Sequence, residues 1–151
     1  MSAPLVVLSP VTGTAIPMSE VPDPVFSASL VGPGVAIDPD RDARAEVRSP
    51  IDGTVVKLHA HAFVVQAPDT RAVLVHLGIN TVQLDGEGFS LAVEEGDQVT
   101  AGQVLLTWDI HAVAATGRSV VCPVVALDAA ADSLVIADGN SIGAAPLFTW
   151  N

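Results

Sequence analysis

Short apolar runs alternate with turn residues along the whole chain, and helical periodicity is scarce. Apolar runs rich in Val, Leu and Ile that end at Gly or Pro are typical of strands. The pattern predicts strands at Leu5–Leu8, Gly13–Pro17, Gly34–Asp38, Ala45–Arg48, Gly53–His59, Phe63–Ala67, Ala72–Leu77, Val82–Leu84, Phe89–Ala92, Gln98–Val99, Val104–Asp109, Val120–Val125 and Leu147–Trp150. Only Val25–Leu30 and Ile110–Thr116 favour short helical turns. We therefore expect an all-β protein, an antiparallel sandwich or barrel.

An internal repeat divides the pattern into related parts. The segments Ser9–Ala15 (SPVTGTA) and Ser49–Val55 (SPIDGTV) share their Ser, Pro, Gly and Thr positions. Each has a turn that leads into a predicted strand, so the repeat indicates two copies of one supersecondary unit. The chain has 151 residues and no low-complexity linker, and we expect a single domain over residues 1–151.

Composition and charge narrow the classes of function. The net charge of −11 argues against a nucleic-acid partner, because phosphates would be repelled. The one cysteine, Cys122, excludes an internal disulfide and suits a reducing compartment. The first ten residues lack the basic region of a signal peptide, and no apolar run is long enough to span a membrane. We expect a cytoplasmic protein without membrane insertion.

The candidate chemistry centres on one imidazole in the most apolar stretch. His76 lies within Ala72–Val82 (AVLVHLGINTV), and His61 precedes it in a second apolar run. An imidazole can act near neutral pH as a nucleophile, a base or a metal ligand. If His76 is a nucleophile, its other ring nitrogen needs a hydrogen bond that fixes the tautomer, and the backbone carbonyl near Gly78 is a suitable acceptor.

A further motif, Glu94–Leu106, has two glycines around a short strand and is similar to the hammerhead of biotinyl and lipoyl carriers. Those carriers modify a lysine at a hairpin tip. The single lysine here, Lys57, lies inside a predicted strand and lacks the Met-Lys-Met context, so we do not expect a carrier of that kind.

Five motifs in order give the chain a resemblance to one family. Together they resemble enzyme IIA of the glucose family of the bacterial phosphotransferase system, from about Val6 to Trp150. The motifs are Pro22–Ile37, Ser49–Val55, His61–Phe63, Val75–Val82 and Gly86–Phe89.

The resemblance implies a fold and a role. The fold is a compact antiparallel β-sandwich built on a duplicated hybrid motif. The role is that of a phosphocarrier: His76 accepts a phosphoryl group from HPr, and His61 beside it contacts that group. The phosphoryl group then leaves to the cysteine of a IIB domain in a permease for glucose, N-acetylglucosamine or a related sugar. No cofactor and no metal are expected.

The resemblance also implies a docking surface for these partners. By family position its apolar members are Val25, Phe26, Leu30, Val31, Phe63 and Val82, with Asp23 on the rim. An exposed apolar patch with a charged rim is typical of interaction sites. We expect Phe26, in a Pro-rich loop, to be exposed.

Two positions depart from the family pattern. Asn80 stands where the family usually has Asp, which removes one negative charge from the rim. His59 stands where a Thr usually orients the supporting histidine, and it either takes over that role or is solvated. His111 is expected at the surface, and Cys122 is expected to be a buried, non-catalytic residue.

Two alternatives remain open. In the first, a zinc-dependent hydrolase-like protein of the duplicated hybrid fold would use His59, His61 and His76. Related zinc peptidases carry H-x-x-x-D before H-x-H, the opposite order, and Asn80 is a poor replacement for the ligand Asp. In the second, the chain is a purely regulatory binding module that has lost transfer, and the intact His61 and His76 argue against this. Members of the family often combine transfer with regulation of other proteins, and binding that phosphorylation of His76 weakens would reveal that second role.

Overall fold

The computed structural model describes residues 3–40, 44–137, 140–141 and 145–151. In these residues the chain forms short strands joined by tight turns. The strands are β1 Leu5–Leu8, β2 Gly13–Pro17, β3 Gly34–Pro39, β4 Arg44–Arg48, β5 Gly53–His59, β6 Ala62–Gln66, β7 Ala72–His76, β8 Phe89–Leu91, β9 Gln98–Val99, β10 Val104–Asp109, β11 Cys122–Ala126, β12 Leu134–Ile136, β13 Asn140–Ser141 and β14 Pro146–Trp150. The helices are α1 Pro24–Ser27 and α2 Ile110–Ala115, with 3₁₀ turns at Met18–Glu20, Thr81–Leu84 and Ala131–Ser133.

The strands form three antiparallel sheets. The large sheet has the order β13-β2-β3-β11-β7-β6-β5-β9. Two three-stranded sheets, β1-β14-β12 and β4-β10-β8, complete the fold. The predicted all-β antiparallel fold with short helical turns is confirmed. None of the helices in the described ranges is long and apolar enough to cross a membrane.

The main core lies between the large sheet and the two small ones. Its largest fully buried side chains come from all three sheets and from the segments that join their strands: Trp108, Phe63, Phe148, Ile37, Ile51, Leu77, Leu105, Leu106, Ile110, Leu147, Val7 and Val11. Cys122 is fully buried in the same core, as expected. With few aromatic residues, the chain fills this core mostly with aliphatic side chains, which suit a pleated surface.

A second, smaller core covers the opposite face of the large sheet. Its buried members are Met18, Val21, Phe26, Ala36, Ile79, Val121 and Val125. Successive side chains of a strand point to opposite faces, so Val73 and Val75 of β7 enter the main core while Leu74 packs against the second one. By the same alternation, His76 at the end of β7 faces the second core and Phe26 of α1.

The sequence repeat corresponds to a reciprocal pair of turns. The Ser9 hydroxyl donates to the Val11 carbonyl at 2.6 Å, and the Ser49 hydroxyl donates to the Ile51 carbonyl at 2.7 Å. The residue before each turn also donates a backbone hydrogen bond to the other turn, from Leu8 N to the Pro50 carbonyl and from Arg48 N to the Pro10 carbonyl. Both serines are fully buried, which is possible because their hydroxyls are satisfied locally.

Some predicted elements differ from the structure. The predicted strand Val82–Leu84 is wrong, because Thr81–Leu84 is a 3₁₀ turn. The residues at its two ends, Asn80 and Asp85, have φ values of 62° and 51°, and this left-handed backbone reverses the chain where a strand would run on. The short strand β12 was not predicted, because three apolar residues give too little periodicity to identify one.

Arg71, which precedes β7, fastens both ends of the described chain to the large sheet. Its guanidinium donates to the carbonyls of Ala3 and Trp150, each at 2.7 Å, and Nε donates to Asp69 at 2.8 Å. The same group lies 5.7 Å from the centre of the Trp150 ring. One side chain thus ties the segment before β1 and the end of β14 to the turn before β7.

We predict that Arg71→Ala lowers the free energy of unfolding by about 1–3 kcal/mol, because two charge-assisted bonds to carbonyls and a cation–ring contact are lost. Arg48→Ala is the matched control. Arg48 makes one carbonyl bond, to Gly102, and an exposed pair with Glu46, so its loss should cost at most about 1 kcal/mol. Urea unfolding of both variants measures the difference, and equal losses would contradict the role given to Arg71.

Candidate functional site

His76 lies at the edge of the second core, partly covered by an aromatic ring. It pairs with Ala62 of β6 across the sheet. The centre of the Phe26 ring is 5.4 Å from that of the imidazole, with the two planes inclined at 58°. This packing limits the ring's rotation while leaving the side chain only partly buried.

A backbone carbonyl fixes the proton on His76. The Nδ1 atom is 2.5 Å from the carbonyl oxygen of Gly78. Because a carbonyl can only accept, Nδ1 must carry the hydrogen and Nε2 of the neutral ring keeps its lone pair. The predicted acceptor is therefore in place, and Nε2 is the nitrogen free to react.

The turn after β7 has room only for glycine at position 78. Gly78 has φ of +79°, and a Cβ there would lie 2.7 Å from the Thr81 methyl and 2.8 Å from the Ser119 carbonyl oxygen. Contacts that short require the surrounding atoms to move. The buried Thr81 hydroxyl also donates to the Leu77 carbonyl at 2.7 Å, which closes the turn from inside.

His61 stands beside His76 on the hairpin turn between β5 and β6. The ring centres are 5.3 Å apart and the planes meet at 68°. The backbone holds this arrangement, because Leu77 N donates to the His61 carbonyl at 2.7 Å. The structure thus brings together the two histidines that the sequence analysis singled out.

His59 extends the pair to a row of three imidazoles. Its ring lies 5.5 Å from that of His61, with 25° between the planes, so the contact is a stack. His59 itself is exposed. His59 therefore contacts His61 through its ring while remaining exposed to solvent.

Burial lowers the pKa of both central histidines. For His61 desolvation is the largest cause, followed by the charges of His76 and His59. For His76 desolvation also dominates and lowers the pKa, while the Gly78 carbonyl and the Asp23 carboxylate oppose it. Both rings are therefore neutral near pH 7, as a nucleophile and a neutral donor require.

The residues predicted to form a docking surface divide into two groups. Val25, Leu30 and Val82 are 44%, 71% and 56% exposed, and Val31 is partly buried against the second core. Asp23 caps α1 by accepting from Val25 N at 2.9 Å.

Two of the predicted docking residues are buried, so that part of the prediction is wrong. Phe63 is 1% exposed, because the alternation of β6 turns it into the main core. Phe26 is 8% exposed, because α1 folds it onto the second core and the His76 ring. Phe26 belongs to the packing around the imidazole and not to the outer surface.

Three further residues support the site, and the sequence analysis gave none of them a role. They are Thr81, Arg118 and Ser119. Thr81 closes the turn from inside, and Ile79 N donates to the Ser119 carbonyl at 2.9 Å. Arg118 bonds to Asn80 and Gln83. Thr81 lies within the motif Val75–Val82, whereas nothing in the sequence links residues 118 and 119 to that turn.

The other predictions about polar side chains can be compared directly. Asn80 is exposed at the rim, and His111 is exposed on α2, as expected. Among the described side chains, no group of three or more His, Cys, Asp or Glu is arranged to hold a metal ion.

The fold and the paired imidazoles define a β-sandwich protein with two adjacent, partly buried histidines, and comparison with known proteins gives its family. Residues 5–131 match the family model of the phosphoenolpyruvate-dependent sugar phosphotransferase system, EIIA 1. The chain belongs to this family, as a glucose-type EIIA component.

Some relatives are EIIA components, and others are longer proteins of which the match covers only a part. The chain is 42% identical over 123 residues to the PTS system glucose-specific EIIA component of Oceanobacillus iheyensis, covering 80% of this chain and 73% of that one. It is 39% identical over 146 residues to the N-acetylglucosamine-specific EIICBA component of Escherichia coli, covering 93% of this chain but only 22% of the relative. The solved structure of glucose permease IIA from Mycoplasma capricolum has a TM-score of 0.90 and 31% identity, covering 98% of this chain and 96% of that one.

The lowered pKa values predict how stability depends on pH. As pH falls below the ordinary histidine value of about 6.5, the unfolded chain takes up protons before the folded one does. The contribution of His61 and His76 to the free energy of unfolding is thus complete above about pH 6.5. It is lost as pH falls through the lowered pKa values that these two rings have in the folded state. We expect a lower free energy of unfolding at pH 5.5 than at pH 7.5.

Urea unfolding at the two pH values measures this loss in the wild type, in His61→Gln/His76→Gln and in His111→Gln. The double variant should lose less stability than the wild type, and the surface variant should behave like the wild type. The attribution to these two rings fails if the double variant keeps the full pH dependence.

Proposed function

We propose that the chain is a phosphocarrier that holds a phosphoryl group on Nε2 of His76. The observation that carries this proposal is the contact between Nδ1 and the Gly78 carbonyl, which leaves Nε2 unprotonated and available. His76 lies partly buried beside the neutral imidazole of His61. This arrangement suits phosphoryl transfer, because that reaction depends mainly on positioning and electrostatic stabilisation of the group.

In the first transfer the donor is the phosphorylated histidine of HPr. The Nε2 lone pair of His76 attacks phosphorus, and the new N–P bond forms as the bond to the donor nitrogen breaks. The electron pair of that bond returns to the donor imidazole. The proton stays on Nδ1 of His76, which donates it to the Gly78 carbonyl, and that carbonyl stabilises the positive charge that develops on the ring.

His61 stabilises the phosphoryl group during its transfer to IIB. A neutral imidazole has one N–H donor, and the short distance between the His61 and His76 rings supports a contact of that donor with phosphate oxygens on Nε2. Such a donor acts on charge that spreads over the oxygens in the transition state, and removing one typically costs on the order of 3 kcal/mol.

In the second transfer the acceptor is the cysteine of a IIB domain. The thiolate attacks phosphorus, an S–P bond forms, and His76 leaves as the neutral imidazole. The names of larger relatives, such as a mannose-specific EIIBCA component and an N-acetylglucosamine-specific EIICBA component, support a IIB partner and a sugar as the final acceptor. The relay would thus drive sugar uptake and phosphorylation.

The partners dock over the exposed apolar residues beside the site. Val25, Leu30 and Val82 are the exposed members of the predicted patch, and Asp23 lies at its rim. Asn80 carries no charge at the same rim, so attraction to a basic partner is weaker than an aspartate there would give. We propose that residues 1–151 act as one EIIA domain. Cys122 is a free thiol, which favours the reducing cytoplasm.

The experiment is phosphorylation by phosphoenolpyruvate with enzyme I and HPr, followed by intact mass and acid treatment. We expect the wild type to gain one acid-labile phosphoryl group and His76→Ala to gain none. His61→Ala should accept the group, but pass it to IIB roughly 10²–10³-fold more slowly because the donor to the phosphate oxygens is lost.

The matched control is His111→Ala, which removes an exposed histidine outside the site. It should be phosphorylated and dephosphorylated at wild-type rates. A wild type that stays unmodified, or a His76→Ala variant that still gains the group, would contradict the proposal.

A further inference from the structure

Arg118 connects the loop after α2 to the turn that carries Gly78. Its Nε donates to the Asn80 carbonyl at 3.2 Å, and its Nη2 donates to Oε1 of Gln83 at 3.0 Å. The next residue, Ser119, accepts from Ile79 N at 2.9 Å. Two neighbouring residues of one loop thus make two bonds to the turn after β7 and one to the 3₁₀ helix that follows it.

The turn needs such support because its backbone is unusual. Gly78 and Asn80 have φ values of 79° and 62°, a region that residues with side chains rarely adopt. Thr81 braces the turn from inside, with its hydroxyl on the Leu77 carbonyl.

The side of this turn that faces solvent is not held by packing. That side borders an open cavity of about 420 Å³, lined in part by Pro22, Asn80 and Gln83. Among the described residues, the side chain that bridges Asn80 and Gln83 there is Arg118.

We propose that Arg118 is a positioning residue for His76, acting through the turn. By holding the Asn80 backbone, it keeps the Gly78 carbonyl aimed at Nδ1, and so keeps the His76 proton on Nδ1 and the lone pair on Nε2. The consequence for phosphoryl transfer rests on the proposed function, whereas the consequence for the tautomer does not.

Arginine suits this position better than lysine. Its planar guanidinium directs separate N–H groups at two acceptors, one a backbone carbonyl and the other a side-chain amide. A lysine would keep the positive charge, but its single ammonium group does not reproduce that fork. A series of substitutions at Arg118 therefore separates geometry from charge.

The test uses the full chain with ¹⁵N-labelled histidine, in the wild type, Arg118→Ala and Arg118→Lys. The ring ¹⁵N shifts of neutral His76 report which nitrogen carries the proton. We expect the Nδ1–H form to predominate in the wild type, to fall clearly in Arg118→Ala, and to be intermediate in Arg118→Lys. Single-turnover transfer from phospho-HPr should slow by about tenfold in Arg118→Ala, with half-saturation by HPr unchanged.

The matched control is Thr116→Ala in the same loop. The Thr116 hydroxyl donates to the Val113 carbonyl and does not reach the turn, so the tautomer and the rate should stay as in the wild type. A merely structural role for Arg118 would lower stability and leave the tautomer of the folded protein unchanged, which would overturn the proposal. If Arg118→Ala does not fold, the ring ¹⁵N shifts of His76 in Arg118→Lys decide whether Arg118 positions the ring.

The outcome for phosphorylation is separate. A wild type that shows the Nδ1–H tautomer but takes no phosphoryl group on His76 would contradict the proposed function. The shifts of the Arg118 variants would still decide whether this residue positions the ring.

Discussion

The hydrogen bond from Nδ1 of His76 to the Gly78 carbonyl is the interaction on which the site depends. It decides which ring nitrogen is protonated, and therefore which one can react. The bond needs a turn with left-handed backbone immediately after β7, and that turn needs glycine at position 78 and braces on both sides. Much of the surrounding structure can be understood as what holds one carbonyl in place.

The strand alternation of the large sheet explains why this histidine is partly buried beside the second core. The residues before it, Val73 and Val75, enter the main core, and His76 therefore faces the other side, where Phe26 packs on the ring. Desolvation there lowers the pKa and keeps the imidazole neutral, while the Gly78 carbonyl and Asp23 limit the shift. Burial, which favours the neutral ring, and nearby oxygens, which favour the charged one, thus act in opposite directions on the pKa of His76.

Much of this arrangement could be predicted from the sequence, because it depends on local patterns. The alternation of apolar residues identified most strands, and the repeat indicated paired turns. The position of Gly78 two residues after His76 indicated the acceptor for Nδ1. The errors come from contacts that the sequence does not encode locally. Phe26 lies in a Pro-rich loop but folds onto the second core, and Val82 follows a left-handed Asn80 that ends the strand pattern. Arg118 reaches the turn only because the fold brings its loop alongside.

The most direct measurement is ¹⁵N–³¹P correlation NMR on the chain after phosphorylation by HPr. If the Gly78 carbonyl fixes the tautomer, the phosphorus couples to Nε2 of His76 while Nδ1 keeps its proton. Phosphorus on Nδ1 of His76, or on His61, would contradict the central role given to that bond, since the reacting nitrogen would then be one that the backbone does not select.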